Sequence, residues 1–313
     1  MRIVLLGATG FVGKHLLPEL SARGHECIVA CRNVSRCGHL RLIPGVTLKQ
    51  VPSASVENLQ ALLPGADAVI NLVGILNEPG RNGMGFRKVH VGTAENLIEA
   101  CRSTGLRRVI QISALNAGKG KSHYLTSKGK AEDLLRQADF IDVTIVQPSV
   151  IFGEGDSFFT RFAALLKWSP ILPLACPGAR LQPVWVGDVV RAIGELLESP
   201  QSIGRSLELV GPNVYTLRQL VRYTADTMGL NRWIIGLPDT VSRLQGRLMD
   251  FVPGKPFSSD NFKSLQVDNI SKHNALPEFG ITPTSMRAVV PAYLPGNRRQ
   301  RRLDVWRQDP RAH

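Results

Sequence analysis

Through the first half of the chain, short runs of apolar residues alternate with stretches whose apolar positions recur at helical spacing. The runs cover residues 3–6, 27–31, 46–48, 68–73, 109–112 and 143–146, and the helical stretches cover 12–22, 56–63, 89–103 and 124–137. A strand that is apolar at successive positions buries both faces, as in a parallel sheet covered by helices on each side. The alternation predicts repeated βαβ units, hence an α/β fold with a doubly wound parallel sheet of the Rossmann type. In such a sheet the ligand crevice lies at the carboxyl ends of the strands.

After Pro148 the regularity breaks, and prolines and glycines become frequent (Pro170, Pro173, Pro177, Gly178, Pro183). This predicts a smaller C-terminal α/β lobe. A helix over 188–198 is expected to return to the first domain, and residues 207–210 read as a strand. Thr216-Leu217-Arg218-Gln219 reads as a capping box opening a helix that runs to Met228. The expected division is a nucleotide-binding domain over 1–155, completed by a returning segment near 182–199, a substrate or partner lobe over 156–296, and a tail over 297–313.

The chemistry begins at Gly7-Ala8-Thr9-Gly10-Phe11-Val12-Gly13, which follows the first strand and opens the first helix. Glycines there permit a tight turn and let backbone N–H groups reach a pyrophosphate, whose charge is met by the helix N-terminus. The stretch reads as a dinucleotide cradle. The second strand ends Ala30-Cys31-Arg32-Asn33, with Arg36 nearby and no acidic residue to accept from a ribose 2′-hydroxyl. A guanidinium at that place pairs with a 2′-phosphate. NADP(H) is therefore favoured over NAD(H), the alternative being that Arg32 stacks on adenine and does not discriminate.

Tyr124-Leu125-Thr126-Ser127-Lys128 sets a phenol and an ammonium four residues apart on one helix face. A free tyrosine titrates near ~10, so acid–base work at neutral pH calls for a neighbouring cation. Lys128 supplies one and can also reach a nicotinamide ribose. Ser113, in Ile112-Ser113-Ala114, is the third catalytic candidate, with Ala114 as the alternative occupant of the carbonyl-polarising position. His90 reads either as a proton relay or as a hydrogen-bonded structural histidine. Gly118-Lys119-Gly120-Lys121-Ser122 ends like a phosphate loop of the Walker type, but Leu115 stands where that loop requires glycine. It reads as a solvated basic loop or a lip for an anionic substrate. In Glu154-Gly155-Asp156, Asp156 is expected to cap the next helix, and no metal site is predicted.

Composition narrows the partners. An apolar share of 43% and a charged share of 20% in 313 residues describe a globular chain with its own core, and the formal charge of +13 favours anionic partners. Six arginines stand against Asp304 and Asp309 in residues 297–313. That tail reads either as a frayed terminus or as an arm docking on a membrane surface or an acidic partner. Five cysteines without a paired framework imply a reducing, cytoplasmic setting, with a peripheral position at the inner face of the membrane left open. No recognition module accompanies the charge, so nucleic acid is not an expected partner.

The spacing Gly-x-x-Gly-x-x-Gly resembles the extended and atypical branches of the short-chain dehydrogenase/reductase superfamily. Asp67-Ala68-Val69-Ile70-Asn71-Leu72-Val73-Gly74 resembles its fourth strand. Gln147-Pro148-Ser149-Val150-Ile151-Phe152-Gly153 resembles the stretch beside the nicotinamide, and Gln182-Pro183-Val184-Trp185-Val186-Gly187-Asp188-Val189 a substrate-domain signature. The resemblance implies dinucleotide contacts from Gly7, Thr9, Gly10, Phe11, Val12, Gly13, Arg32, Asn33, Arg36, Leu72, Val73, Gly74, Tyr124, Lys128, Pro148, Ser149 and Val150. The chain departs from the pattern at Ser113-Ala114, where the family often has two serines. It departs again at His90, where asparagine is usual, and in lacking a Gly-Asp pair after the third strand.

Residues 147–165, 182–189 and Phe279-Gly280-Ile281-Thr282-Pro283-Thr284-Ser285, together with the basic tail, resemble the nucleotide-binding accessory subunit of respiratory complex I and its bacterial relatives. That family implies firmly held NADPH and a membrane-proximal place in a complex. Three readings follow: an NADP(H)-dependent oxidoreductase acting on an unknown small molecule, a cofactor-holding accessory or redox-sensing subunit, and a nucleotide-sugar epimerase or dehydratase. Arg32 disfavours the third, which needs NAD(H).

Overall fold

The computed structural model describes residues 1–294 apart from 79, 253, 254 and 256. The apolar runs form β1 (Arg2–Leu6), β2 (Glu26–Cys31), β3 (Val46–Gln50), β4 (Ala68–Asn71), β5 (Arg108–Ile112) and β6 (Asp142–Pro148) of one sheet. Its order is β3-β2-β1-β4-β5-β6, extended beyond β6 by β7 (Ser206–Leu209), with every pair parallel. The chain winds outward from β1 to β3 and then crosses to β4 on the other side of β1. The reversal opens a crevice between β1 and β4, at the place where such sheets receive ligands. β4 stops two residues before its apolar run does, because the Val73 N–H donates to Asn71 Oδ1 at 3.1 Å rather than to a neighbouring strand.

The connecting helices are α1 (Phe11–Ala22), α2 (Val56–Leu62), α3 (Gly92–Thr104) and α4 (His123–Gln137), followed by α5 (Phe159–Trp168) and α6 (Val186–Glu198). Successive strand residues face opposite sides, so β1 sends Ile3 and Leu5 into one core and Val4 and Leu6 into the other. The first core is closed by Leu16, Leu17 and Leu20 of α1 and by Val189, Ile193 and Leu196 of α6. The second is closed by Leu59 of α2, Leu97 and Cys101 of α3 and Leu135 of α4. Arg23, just past α1, ties the two helices of the first face by ion pairs to Glu19 at 2.9 Å and Glu195 at 2.7 Å.

The C-terminal half contributes more to the sheet than the returning helix alone, since β7 comes from residues the sequence assigned to the lobe. The lobe has its own core, formed by Phe152, Phe159, Leu166, Leu172, Leu220, Val221 and Val290 among others. It carries a parallel two-stranded ribbon, Ile171–Leu174 with Trp233–Gly236, and α7 (Leu217–Thr227), α8 (Asp239–Met249), α9 (Ser259–Ser264) and α10 (Met286–Tyr293). The capping box at α7 is present: the Gln219 N–H donates to Thr216 Oγ1 at 3.2 Å and the Thr216 N–H to Gln219 Oε1 at 2.8 Å. Residues 182–189 and 279–285 meet at Asp188, which is fully buried. Asp188 accepts from the Thr284 N–H at 2.6 Å, the Thr284 hydroxyl at 3.0 Å and the Arg191 guanidinium at 2.5 Å.

Candidate functional site

Gly7 sits at φ +79°, a conformation that L side chains rarely adopt, and a Cβ there would come within 3.0 Å of the Leu72–Val73 backbone. The loop therefore lies directly on the end of β4. Gly10 is the N-cap of α1, closes the turn through its N–H to Gly7 O at 3.1 Å, and offers no side-chain cap. No acidic residue stands in the first turn of α1, so its N–H groups and partial positive charge are free for an anion. Gly13 permits contact of helix and strand: an added Cβ would be 2.2 Å from Ala8 Cα. Phe11 leans on the loop after β6, within 3.7 Å of where a Gly153 Cβ would lie. A dinucleotide phosphate fits this cradle of turn, helix start and missing side chains.

The catalytic candidates stand on the other side of the same crevice. A Cβ added at Gly74 would lie 3.3 Å from Lys128 Nζ and 3.7 Å from His90 Nε2. The Lys128 ammonium donates to Ile112 O at 3.0 Å, one residue before Ser113, whose buried hydroxyl has no hydrogen-bond partner among the described residues. Contact thus runs from the Gly7 turn through 72–74 to Lys128 and on to the end of β5. Tyr124 lies one turn before Lys128 and packs edge-on against Phe86, at 5.9 Å between ring centroids, and His90, at 5.6 Å.

The electrostatics correct one expectation. Burial pulls the Lys128 ammonium down to about 8, with Glu132 opposing, and pushes the Tyr124 phenol up to about 12. Desolvation of the phenolate outweighs any gain from the lysine, so at neutral pH Tyr124 holds its proton as an acid. His90 is hydrogen-bonded through both ring nitrogens: Nε2 accepts from the Ile75 N–H at 3.3 Å, so Nδ1 carries the proton and donates to Ser127 Oγ at 2.8 Å. Ser127 in turn donates to Tyr124 O at 2.9 Å. Burial and the Lys128 charge pull the imidazole down to about 3, which keeps it neutral.

Pro148 ends β6, and Ser149 and Val150 face Asn269, whose Oδ1 accepts from the Ser149 hydroxyl at 2.5 Å and the Val150 N–H at 3.2 Å. Arg32 and Arg36 are exposed beyond the end of β2 and enter no ion pair among the described residues, while Asn33 Oδ1 accepts from the Arg36 N–H at 3.3 Å. The 118–122 stretch is more than a solvated loop. The Gly118 backbone packs where a Gly129 Cβ would be 2.4 Å from it, and Ser122 caps α4. Asp156 accepts from the Thr160 N–H at 3.3 Å near the start of α5, and from the Tyr293 hydroxyl at 2.6 Å. The described residues contain no cluster that would hold a metal.

Several members of the site carry no local signal in the sequence. Asp260 in α9 accepts from the His123 N–H at 2.6 Å and the Tyr124 N–H at 3.1 Å, and so fixes the start of the helix that bears Tyr124. Asn269 holds the 149–150 turn. Buried Asn71 donates to Gln111 Oε1 at 2.8 Å across β4 and β5. Each acts across a long chain separation that local spacing does not encode.

Residues 7–158 match the family model described as NAD(P)H-binding. That stretch of the chain is an NAD(P)H-binding domain. In sequence it is similar to NADH dehydrogenase (ubiquinone) 1 alpha subcomplex subunit 9, mitochondrial, of Rattus norvegicus, with 28% identity over 292 residues covering 90% of this chain and 76% of that protein. It is also similar to ceramide reductase of Caulobacter vibrioides, with 29% identity over 248 residues, 79% of this chain and 77% of that one. In fold it matches an NADPH-dependent quinone oxidoreductase of Escherichia coli solved with NADPH, at TM-score 0.75 and 17% identity over 93% of this chain and 99% of that one. A nucleoside-diphosphate-sugar epimerase of Staphylococcus aureus gives TM-score 0.74 at 18% identity, over 91% and 98%.

Proposed function

We propose that the chain is an NADP(H)-dependent oxidoreductase that reduces a carbonyl or quinone-like small molecule. The observation that carries this is the continuity of the crevice, in which the Gly7 turn lies against 72–73 and Gly74 against Lys128. NADP(H) binds along this line, with Arg32 and Arg36 taking the 2′-phosphate. Bound nicotinamide supplies the hydride. The chain's own residues do the rest: Tyr124 gives its proton to the developing oxyanion, the Ser113 hydroxyl donates to the same oxygen, and Lys128 holds a positive charge beside both. A phenol that keeps its proton at neutral pH suits reduction.

The second reading is a cofactor-holding accessory or redox-sensing subunit at the inner face of the membrane, docked through the basic tail, which lies outside the described residues. The similarity to a complex I subunit and the hydrogen-bonded His90 favour it. One experiment separates the two: the nucleotide released from purified protein is identified and its exchange followed. Free exchange and loss of NADPH preference on Arg32→Glu support the enzyme. NADPH that does not exchange supports the accessory role, and absence of affinity for either nucleotide overturns both.

A further inference from the structure

Helix α8 is turned inside out. Its inner face is Ser242 and Gly246, whereas Val241, Leu244 and Leu248 are exposed at helical spacing. That orientation is fixed from within. A Cβ at Gly246 would lie 3.2 Å from Ser259 Cα, and Ser242 Oγ accepts from the Cys176 N–H and donates to Leu237 O, both at 3.3 Å. Phe251, 69% exposed, continues the outer face.

The neighbouring ribbon repeats the pattern with strand periodicity. Leu172, Leu174 and Ile234 enter the lobe core, while Ile171, Pro173, Trp233 and Ile235 face outward. Gln245 Nε2 of α8 donates to Pro173 O at 3.4 Å and joins the two surfaces. Trp233 is 73% exposed, and Trp168, at the end of α5, 91%. Single apolar residues on a surface need no explanation, but a joined set spanning a helix and a ribbon does. Around it stand Lys167, Arg232, Arg243 and Arg247, and none of them enters an ion pair among the described residues.

We propose that this face docks on an anionic lipid bilayer. Exposed tryptophans and leucines bordered by unneutralised cations match the headgroup and upper acyl zone, where aromatic rings sit half in water and basic groups meet lipid phosphates. Of the net charge of +13, residues 297–313 carry 6 − 2 = +4, and the remaining 13 − 4 = +9 adds attraction to an anionic surface without them. Among the described residues no helix is long and apolar enough to cross a membrane, so the contact is peripheral. The face adjoins the candidate site through α9, which packs on Gly246 and holds the start of the Tyr124 helix through Asp260. The inference does not depend on the roles given to Tyr124 and Lys128, nor on the tail.

The test is cosedimentation of the full nucleotide-loaded chain with vesicles of phosphatidylcholine mixed with phosphatidylglycerol, and with phosphatidylcholine alone. The parent protein is expected to favour the mixed vesicles. Leu244→Glu with Leu248→Glu is expected to weaken that binding roughly tenfold or more with the nucleotide retained. A chain ending at residue 296 keeps the same sensitivity. Leu244→Ser with Leu248→Ser serves if the glutamates disturb folding. No vesicle binding, or parental binding by both double variants, overturns the proposal. So does a parent that sediments as a dimer and a double variant that sediments as a monomer, which assigns the face to a second copy of the chain.

Discussion

At the residue scale, three titratable groups of one site, His90 and Lys128 buried and Tyr124 half-buried, are expected to set its pH behaviour. Tyr124→Phe removes the proposed proton donor and nothing else of the packing. It is expected to lower kcat by roughly a hundredfold or more against any substrate found, with a much smaller change in nucleotide affinity. Lys128 loses its proton as pH rises through about 8, so kcat/KM is expected to fall on an alkaline limb near that value. Lys128→Arg, whose guanidinium stays charged, should carry the limb upward. His90 gives a stability signature instead. Its pKa is lowered from 6.5 to about 3 in the folded chain, so the unfolded chain binds the proton first as pH falls. Stability is intact above 6.5 and drains by about 1.4 kcal/mol for each pH unit below it, toward the folded value. Thermal melts across that window should show the slope in the parent and a flatter one in His90→Asn.

At the element scale, the phosphate loop and the Tyr124 helix are held by close approach and capping rather than by bulk. Gly13→Ala would drive a methyl against the Ala8 backbone, which has no flexible end to yield. The expected cost is about 3 kcal/mol or more, read as a fall in the urea midpoint with loss of nucleotide binding. Asp260→Ala leaves the first N–H groups of α4 unpaired and should cost about 1–2 kcal/mol in the same measurement. These two positions also show what the sequence discloses. Gly13 belongs to a local spacing with one physical meaning, and the alternation of apolar runs and helical stretches likewise announces the parallel sheet. Asp260 holds the same site from 136 positions beyond Tyr124, and nothing in Ser258-Ser259-Asp260-Asn261 marks more than a helix start of its own. The phenol's protonation was hidden for a related reason: spacing places Lys128 beside it but says nothing of the desolvation that wins.

At the scale of the whole molecule, the nucleotide-binding unit is not a contiguous piece of chain. Residues 7–158 contain the cradle, Ser113, Tyr124 and Lys128, but the outer strand β7 and the helix α6 that covers α1 arrive later. A chain cut after residue 158 leaves Leu16, Leu17 and Leu20 without Val189, Ile193 and Leu196, and the open edge of β6 without its neighbour. It is expected to aggregate on expression, whereas the chain ending at 296 stays in solution and binds nucleotide. The same interleaving governs birth of the protein on the ribosome. With β7 and α6 still unspoken, the emerging half can gather its glycine turn and six strands but cannot seal them, so coenzyme capture waits until more than two hundred residues have been translated.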